Sequence, residues 1–184
     1  MPDLVDLLEQ KRFLGQEFLT WLWYKSEERG GTVYLPSEGD VVLIFERHML
    51  LEYGEGEGSE SLICRGLYTE LQEARTGLLM GKKIEQARIR LGRGNFEWHL
   101  TLRATMLDIS GMRLPKSFSP AEDAGEEGGS EARILDRIGM VEEAVRTINE
   151  LFRLFLKIRV DALWDTDELP KIRSWTRKAG LSSA

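Results

Sequence analysis

The sequence predicts an α+β fold, an antiparallel sheet packed by helices on one side, with a long C-terminal helix. Three observations predict it. Apolar and polar residues alternate through consecutive segments between residues 85 and 110, with the period of half-buried strands. Apolar residues at helical spacing run from Leu14 to Glu28. A further apolar seam, in steps of four and three residues, runs from Ile134 to Phe155.

The alternating segments predict three antiparallel strands. The first covers about residues 86–91 and the second about 96–102. Between them lies Gly92-Arg93-Gly94-Asn95, a glycine-containing connection that predicts a hairpin. A third strand is expected over residues 107–110, after a short turn near residue 104. One face of this unit is apolar and the other is polar.

Shorter elements complete the prediction. The continuous apolar run Val41–Phe45 predicts a strand that is buried on both faces. Four more elements are expected: a helix over residues 3–11, a strand over 49–53 that pairs back on 41–45, a strand over 61–65, and a helix over 69–80. Phe18, Trp21 and Trp23 on the helix from Leu14 are expected to be core residues and not a base-stacking platform.

Composition divides the chain into three parts. Residues 1–116 form an α+β core, and residues 117–129, rich in Ser, Pro, Gly and acid, form an acidic flexible linker. Residues 130–184 form the long helix and a basic tail, in which Lys171–Lys178 carries four basic residues and no acid. The seam of the long helix is either buried against the sheet or is a dimer contact, and we expect a homodimer.

The sequence offers little support for a catalytic activity, a metal site or a cofactor site. The chain has 184 residues, a formal net charge of -6, two histidines and one cysteine. We expect Cys64 to be a buried apolar residue and His99 an ordinary surface residue. The acidic cluster Asp165, Asp167 and Glu168 suits a solvated turn. No apolar run is long enough to span a membrane and no signal peptide is evident, so we expect a cytoplasmic protein with no membrane partner.

Basic residues concentrate between Gly81 and Lys116, where eight basic and three acidic residues give an excess of +5. Arg88 and Arg90 share the polar face of one strand, about 7 Å apart, so they could meet successive phosphates. Further basic residues lie at the ends of the same hairpin, namely Lys82, Lys83 and Arg93. The alternative is a solvated polar face paired to Glu97. Because Glu97 is the only acid expected within reach, at least one guanidinium should stay free.

Two stretches resemble the RdgC family of recombination-associated bacterial proteins. The first is Gly15-Gln16-Glu17-Phe18-Leu19-Thr20-Trp21-Leu22-Trp23-Tyr24-Lys25-Ser26-Glu27. The second begins at Met80-Gly81-Lys82-Lys83-Ile84 and ends at Gly111-Met112-Arg113-Leu114-Pro115-Lys116, after the alternating strands. The likeness covers residues 14–116.

The resemblance implies a sequence-nonspecific DNA-binding protein, of a family that forms ring-shaped dimers around duplex DNA and restrains recombinases. Full-length members have a large N-terminal portion that this chain lacks, so the implication does not extend to ring closure. Some members also carry adjacent basic residues before the helix at 69–80. Here Arg65 is followed by Gly66, so we expect a weaker contact at Arg65.

The leading hypothesis is therefore a nucleoid-associated protein without enzymatic activity or cofactor, acting in recombination or repair beside other recombination proteins. It would bind duplex DNA by electrostatic occupancy of phosphates. The expected contacts are Lys82, Lys83, Arg88, Arg90, Arg93 and Arg65. Two alternatives stay open: a structural or protein-interaction homologue without DNA binding, and, further off, a metal-dependent nuclease.

Overall fold

A computed structural model describes residues 12–53, 60–65, 69–115 and 126–178. The strands are β1 (Thr32–Leu35), β2 (Gly39–Tyr53), β3 (Glu60–Arg65), β4 (Lys83–Arg93), β5 (Phe96–Arg103) and β6 (Ile109–Arg113). The helices are α1 (Arg12–Glu27), α2 (Thr69–Leu79), α3 (Glu126–Val160) and α4 (Leu169–Lys178). The predicted α+β class is confirmed, and a single antiparallel sheet carries the helices on one side.

The long strand β2 organises the sheet. The order is β1-β2-β4-β5-β6, and β3 also pairs with β2. Since β1 pairs with residues 39–42 of β2 and β3 with residues 48–53, the two short strands follow one another along one edge of β2. The expected hairpin between residues 41–45 and 49–53 is wrong. Both segments belong to β2, joined by an irregularity between Phe45 and Met49.

Only one face of β2 is buried. Val41, Leu43 and Phe45 point into the core, whereas Val42 and Ile44 are 39% and 38% exposed on the opposite side, called the outer face below. The prediction of a strand buried on both faces is therefore wrong. The helices cover only the inner face, so alternate β2 side chains meet solvent. The predicted three-strand unit is confirmed as β4, β5 and β6, with Leu107 in a short 3-10 turn before β6.

Helix α1 lies across the inner face of the sheet. Phe18, Trp21 and Trp23 are buried, which confirms their expected place in the core. The helix passes very close to the backbone that follows β5. A Cβ atom at Gly15 would lie 1.9 Å from the carbonyl oxygen of Ala104. Glycine is thus the residue that permits this approach.

The C-terminal half of α3 completes the core. Phe152 and Phe155 contact Phe18 at ring-centroid distances of 5.0 and 5.5 Å. The indole nitrogen of Trp98 donates a 3.1 Å hydrogen bond to the carbonyl oxygen of Met140, which fixes α3 over β5. Burying large aromatic rings contributes strongly to stability because of the apolar area removed from water.

The seam of α3 is divided between core and surface. Ile148, Phe152 and Phe155 are buried. Four residues of the same seam are 36–55% exposed, and they define the exposed stripe: Ile134, Ile138, Val141 and Val145. The prediction that the seam is buried is therefore confirmed for its C-terminal part, and the dimer contact stays a prediction for the exposed stripe.

Helix α4 folds back along α1. The indole ring of Trp175 meets that of Trp23 edge-on at 5.0 Å, and its nitrogen donates a 2.8 Å hydrogen bond to Glu27. Before α4, a π-helical turn over Trp164–Glu168 places Glu168 2.8 Å from the Nζ atom of Lys25. The basic tail is thus a helix that packs on the core.

Other predictions have mixed outcomes. The expected strand over 61–65 and helix over 69–80 are confirmed as β3 and α2, and Cys64 is buried as expected. Helix α3 begins at Glu126, within the segment expected to be linker. The rest of that segment and the expected helix over 3–11 lie outside the described residues. Within the described ranges, no helix has the length and apolar character needed to cross a membrane.

Candidate functional site

The two central arginines of the expected DNA surface lie on the outer face of the sheet, and both are paired with acids. Arg88 Nε lies 2.6 Å from Glu46 Oε2, and Arg90 Nη1 lies 3.5 Å from Glu97 Oε2. His99 contacts both carboxylates, with its Nε2 atom 3.2 Å from Glu97 Oε1. The expectation of a free guanidinium here is wrong, because β2 supplies Glu46 as a second acid.

Glu46 could have been found from the sequence. It follows the run Val41–Phe45, and the inner positions of that run are Val41, Leu43 and Phe45. If the run is interpreted as buried on one face, alternation assigns Glu46 to the outer face, beside the polar residues of β4. The hypothesis that the run was buried on both faces concealed this.

The outer face is close to electrically balanced at this point. Arg88 and Arg90 contribute two positive charges, and Glu46 and Glu97 contribute two negative charges. A phosphate that approaches must compete with carboxylates already in contact with the guanidinium groups and is repelled by them. The arrangement therefore matches the solvated, ion-paired alternative at least as well as a phosphate site.

Arg93 does not join Arg88 and Arg90. Alternation along β4 places it on the side of the sheet that carries the helices. There it pairs with Glu38 and, at 3.1 Å, with Glu143 of α3. Arg93 thus ties the hairpin to α3, a structural role that hairpin position alone did not reveal. Arg65 ends β3, and its side chain lies outside the described residues.

Lys82 and Lys83 lie at a separate site, here called the basic cleft. It is a cleft of about 480 Å³ between the start of β4, the end of α2 and the C-terminal helices. Its lining includes five basic residues, Lys82, Lys83, Arg159, Arg173 and Arg177, and two acidic residues, Glu17 and Asp165. The structure therefore joins two expected contact residues to the basic tail and to Arg159.

Two of the basic residues in the cleft are already engaged. Arg159 Nε lies 2.7 Å from Glu17 Oε2, and its guanidinium group lies over the ring of Trp164 at 5.0 Å. Lys82 Nζ lies 3.2 Å from Glu60, a largely exposed partner. These two side chains line the cleft and add positive potential. Because each already contacts a carboxylate, neither is fully free to bind a ligand.

The other three basic residues are available. Lys83, Arg173 and Arg177 are exposed, and none of them forms an ion pair with any residue in the described ranges. Arg173 and Arg177 stand one helical turn apart on α4, about 6 Å along its axis. Leu169 and Ile172 of the same helix also line the cleft, and Lys83, Arg173 and Arg177 are together called the cationic rim.

The lining of the cleft also includes four apolar side chains, together called the apolar floor. Leu78 and Leu79 come from the end of α2, and Leu169 and Ile172 come from α4. A floor of this kind beside a cationic rim suits a ligand that has both an apolar surface and a negative charge. Neither Arg159 nor the floor was identified from the sequence, because residues from α1, α2, β4, α3, the π-helical turn and α4 meet here only in the folded chain.

Two members of the acidic cluster near α4 form ion pairs within the protein, and the third, Asp165, is exposed in the lining of the basic cleft. Asp167 lies 2.7 Å from Lys171, and Glu168 lies 2.8 Å from Lys25. Among the residues that the structure describes, no group of three or more His, Cys, Asp and Glu side chains is placed to hold a metal ion.

Comparison with known proteins identifies no relative from which a function could be inferred, so the geometry described above is the basis for assigning one. No family model, no curated protein and no solved structure gives a significant match to the chain.

Proposed function

We propose that the protein binds DNA without sequence specificity, by neutralising backbone phosphates with the basic cleft. The single observation that carries the proposal is a group of exposed cations at the cleft, Lys83, Arg173 and Arg177, which form no ion pair with the residues that the structure describes. The resemblance described above supports DNA as the polyanion and a nucleoid setting in recombination or repair. The function is binding, with no chemistry on the DNA.

The cleft is favoured over the outer face by the state of its charges. At Arg88 and Arg90 a phosphate must displace a carboxylate that is already in place. Arg173 and Arg177 form no ion pair within the described ranges, so a phosphate there has no carboxylate of those residues to displace, and the release of counterions drives association with DNA. The local potential of the cleft also attracts a polyanion despite the net charge of -6.

The shape of the rim supports contact with a backbone. Arg173 and Arg177 present two guanidinium groups along one line, and Lys83 approaches from the start of β4. Such a row can address neighbouring phosphates of a strand without reading a base edge, so binding would not depend on sequence.

Salt dependence tests the proposal. Binding of a random-sequence duplex is measured by fluorescence anisotropy from about 50 to 200 mM salt. The double variant Arg173→Ala with Arg177→Ala should lower the slope of log K against log salt by up to about 1.8, since each lost phosphate contact removes about 0.9. Arg133→Ala with Arg137→Ala is the matched control. It removes two exposed arginines at the same spacing on α3, outside the cleft, and neither forms an ion pair with a described residue.

A second double variant, Arg88→Ala with Arg90→Ala, compares the two surfaces directly. We expect it to retain the wild-type slope. If it lowers the slope while the cleft variant does not, the outer face is the binding surface and the cleft proposal is wrong. If wild-type protein does not bind DNA at low salt, the DNA function itself is wrong.

A protein-interaction role is the second candidate. The exposed stripe on α3 favours it, since four apolar residues at seam spacing face solvent. A protein that fails to bind DNA but associates through the stripe would fit this role.

A further inference from the structure

We infer that the basic cleft holds one unpaired nucleotide at an end of DNA, with the base on the apolar floor and its phosphate on the cationic rim. The inference rests on the proposed function and specifies the form of DNA that the site prefers: a duplex with an unpaired end above a blunt duplex. It follows from the size of the cleft, the chemistry of its floor and the placement of its cations.

The size of the cleft suits a small ligand. Its volume of about 480 Å³ lies within the range of clefts that bind small molecules. A duplex presents a wide, regular exterior of sugar and phosphate, with its bases stacked inside. It can rest on the rim but cannot fill the space behind it. An unpaired terminal nucleotide is free to enter.

The floor supplies a reason for a base to enter. Leu79 is 46% exposed, and Leu78 and Leu169 are partly exposed beside it. Covering these side chains with the face of a base removes apolar surface from water on both partners. Because every base has such a face, the contact would tolerate any sequence. A blunt duplex would leave these apolar side chains exposed to water.

The rim fixes which end of the nucleotide faces outward. Arg173 and Arg177 lie on α4 directly beside floor residues Leu169 and Ile172, while Lys83 belongs to the start of β4. A phosphate at the rim can therefore be neutralised while its base rests on the floor. The remaining duplex then extends away from the cleft, where its next phosphates lie near the same cations.

The test compares three DNAs that share one duplex. The first is blunt, the second carries a two-nucleotide 5′-phosphorylated overhang, and the third carries the same overhang with abasic residues. The second and third have equal charge and differ only in their bases. We expect the overhang with bases to bind about tenfold tighter than the abasic one, equivalent to about 1.4 kcal/mol. The two should have the same salt slope.

Two variants separate the inference from the proposed function. Leu79→Asn should remove the preference for bases and leave the salt slope unchanged, and Leu163→Asn, at an exposed leucine outside the cleft, should leave both unchanged. Arg173→Ala with Arg177→Ala should lower the salt slope for all three DNAs.

The possible results separate the inference from the proposed function. Equal binding of the abasic and normal overhangs, or a full preference retained in Leu79→Asn, overturns the inference and leaves the proposed function standing. If the arginine variant binds all three DNAs with the wild-type slope, the cleft is not the site, and both proposals fall.

Discussion

At the scale of single residues, two glycines in helices have opposite effects on stability. A Cβ atom at Gly15 would meet the carbonyl oxygen of Ala104, whereas one at Gly139 would meet nothing within 4 Å. We predict that Gly15→Ala lowers the free energy of unfolding by about 1–3 kcal/mol, the usual cost of overpacking. Gly139→Ala should raise it by about 1 kcal/mol, because glycine is a poor helix former.

Urea denaturation of both variants checks this pair, and each serves as the control for the other. A Gly15→Ala protein as stable as wild type would show that α1 does not approach Ala104 so closely.

The surroundings of Glu28 predict how the stability of the fold changes at acidic pH. Burial favours its neutral form, but the hydrogen bond and charge of Lys25, the hydroxyl of Tyr24 and the charge of Arg29 outweigh burial, and the net pKa is lowered below the ordinary 4.5. Burial and the bond to Glu28 raise the pKa of Tyr24 above its ordinary 10.0, so its hydroxyl remains a donor.

A carboxyl group with a lowered pKa in the folded state stabilises the fold above its unfolded pKa. This stability is lost as pH falls through the folded pKa. Glu28→Gln should therefore reduce stability near pH 7 and flatten its decline below about pH 4.5. Urea midpoints at several pH values measure this. An identical pH dependence in the variant would contradict the assignment.

Individual residues also show how far the sequence could predict the site. Lys82 and Lys83 were expected as contacts from composition and resemblance, and the structure places both at the basic cleft. Arg93 was assigned to the same group, but its position in β4 faces α3 and pairs it with Glu143. Pairing partners come from distant segments, so the local sequence cannot reveal them.

At the scale of elements, the seam of α3 predicts association. We expect a homodimer through the exposed stripe, since a seam at this spacing is typical of helix pairs and exposed apolar surface promotes contact. The variant Ile138→Asp should weaken association at micromolar concentration, as measured by sedimentation. Because Ile138 is half exposed, the fold should survive.

Val160→Asp is the control for that variant. It introduces the same charge at an exposed position of α3 that does not belong to the stripe. If wild-type protein sediments only as a 21.1 kDa species, the expected homodimer is wrong.

Elements with a strong local pattern were predictable from the sequence. The hairpin β4–β5 followed from alternation around a glycine-containing turn, and α1 from the spacing of its apolar residues. The extent of β2 was not predictable, since an irregularity near Arg47 interrupts the alternation within one strand. Which residues of the α3 seam are buried depends on how much of the helix the rest of the core covers. The spacing of apolar residues within the helix does not contain that information.

At the scale of the whole molecule, charge is unevenly distributed. The net charge is -6, yet the basic cleft has an excess of three positive charges over its acids. The overall acidic composition does not show this surface, whereas the fold gathers cations from several elements. A sequence gives the total charge, but only the packing of α2, α3 and α4 around the start of β4 determines where a polyanion would be drawn.

The contact between the first and last parts of the chain has a consequence for synthesis. Phe18 and Trp21 are covered by Phe155, which lies about 130 residues later. At about 5–20 residues per second, ribosomes need roughly 7–26 s to add those residues. Throughout that time the aromatic face of α1 has no final cover. The nascent chain therefore presents an apolar surface to chaperones and to neighbouring chains until Phe155 has been added and can pack on α1.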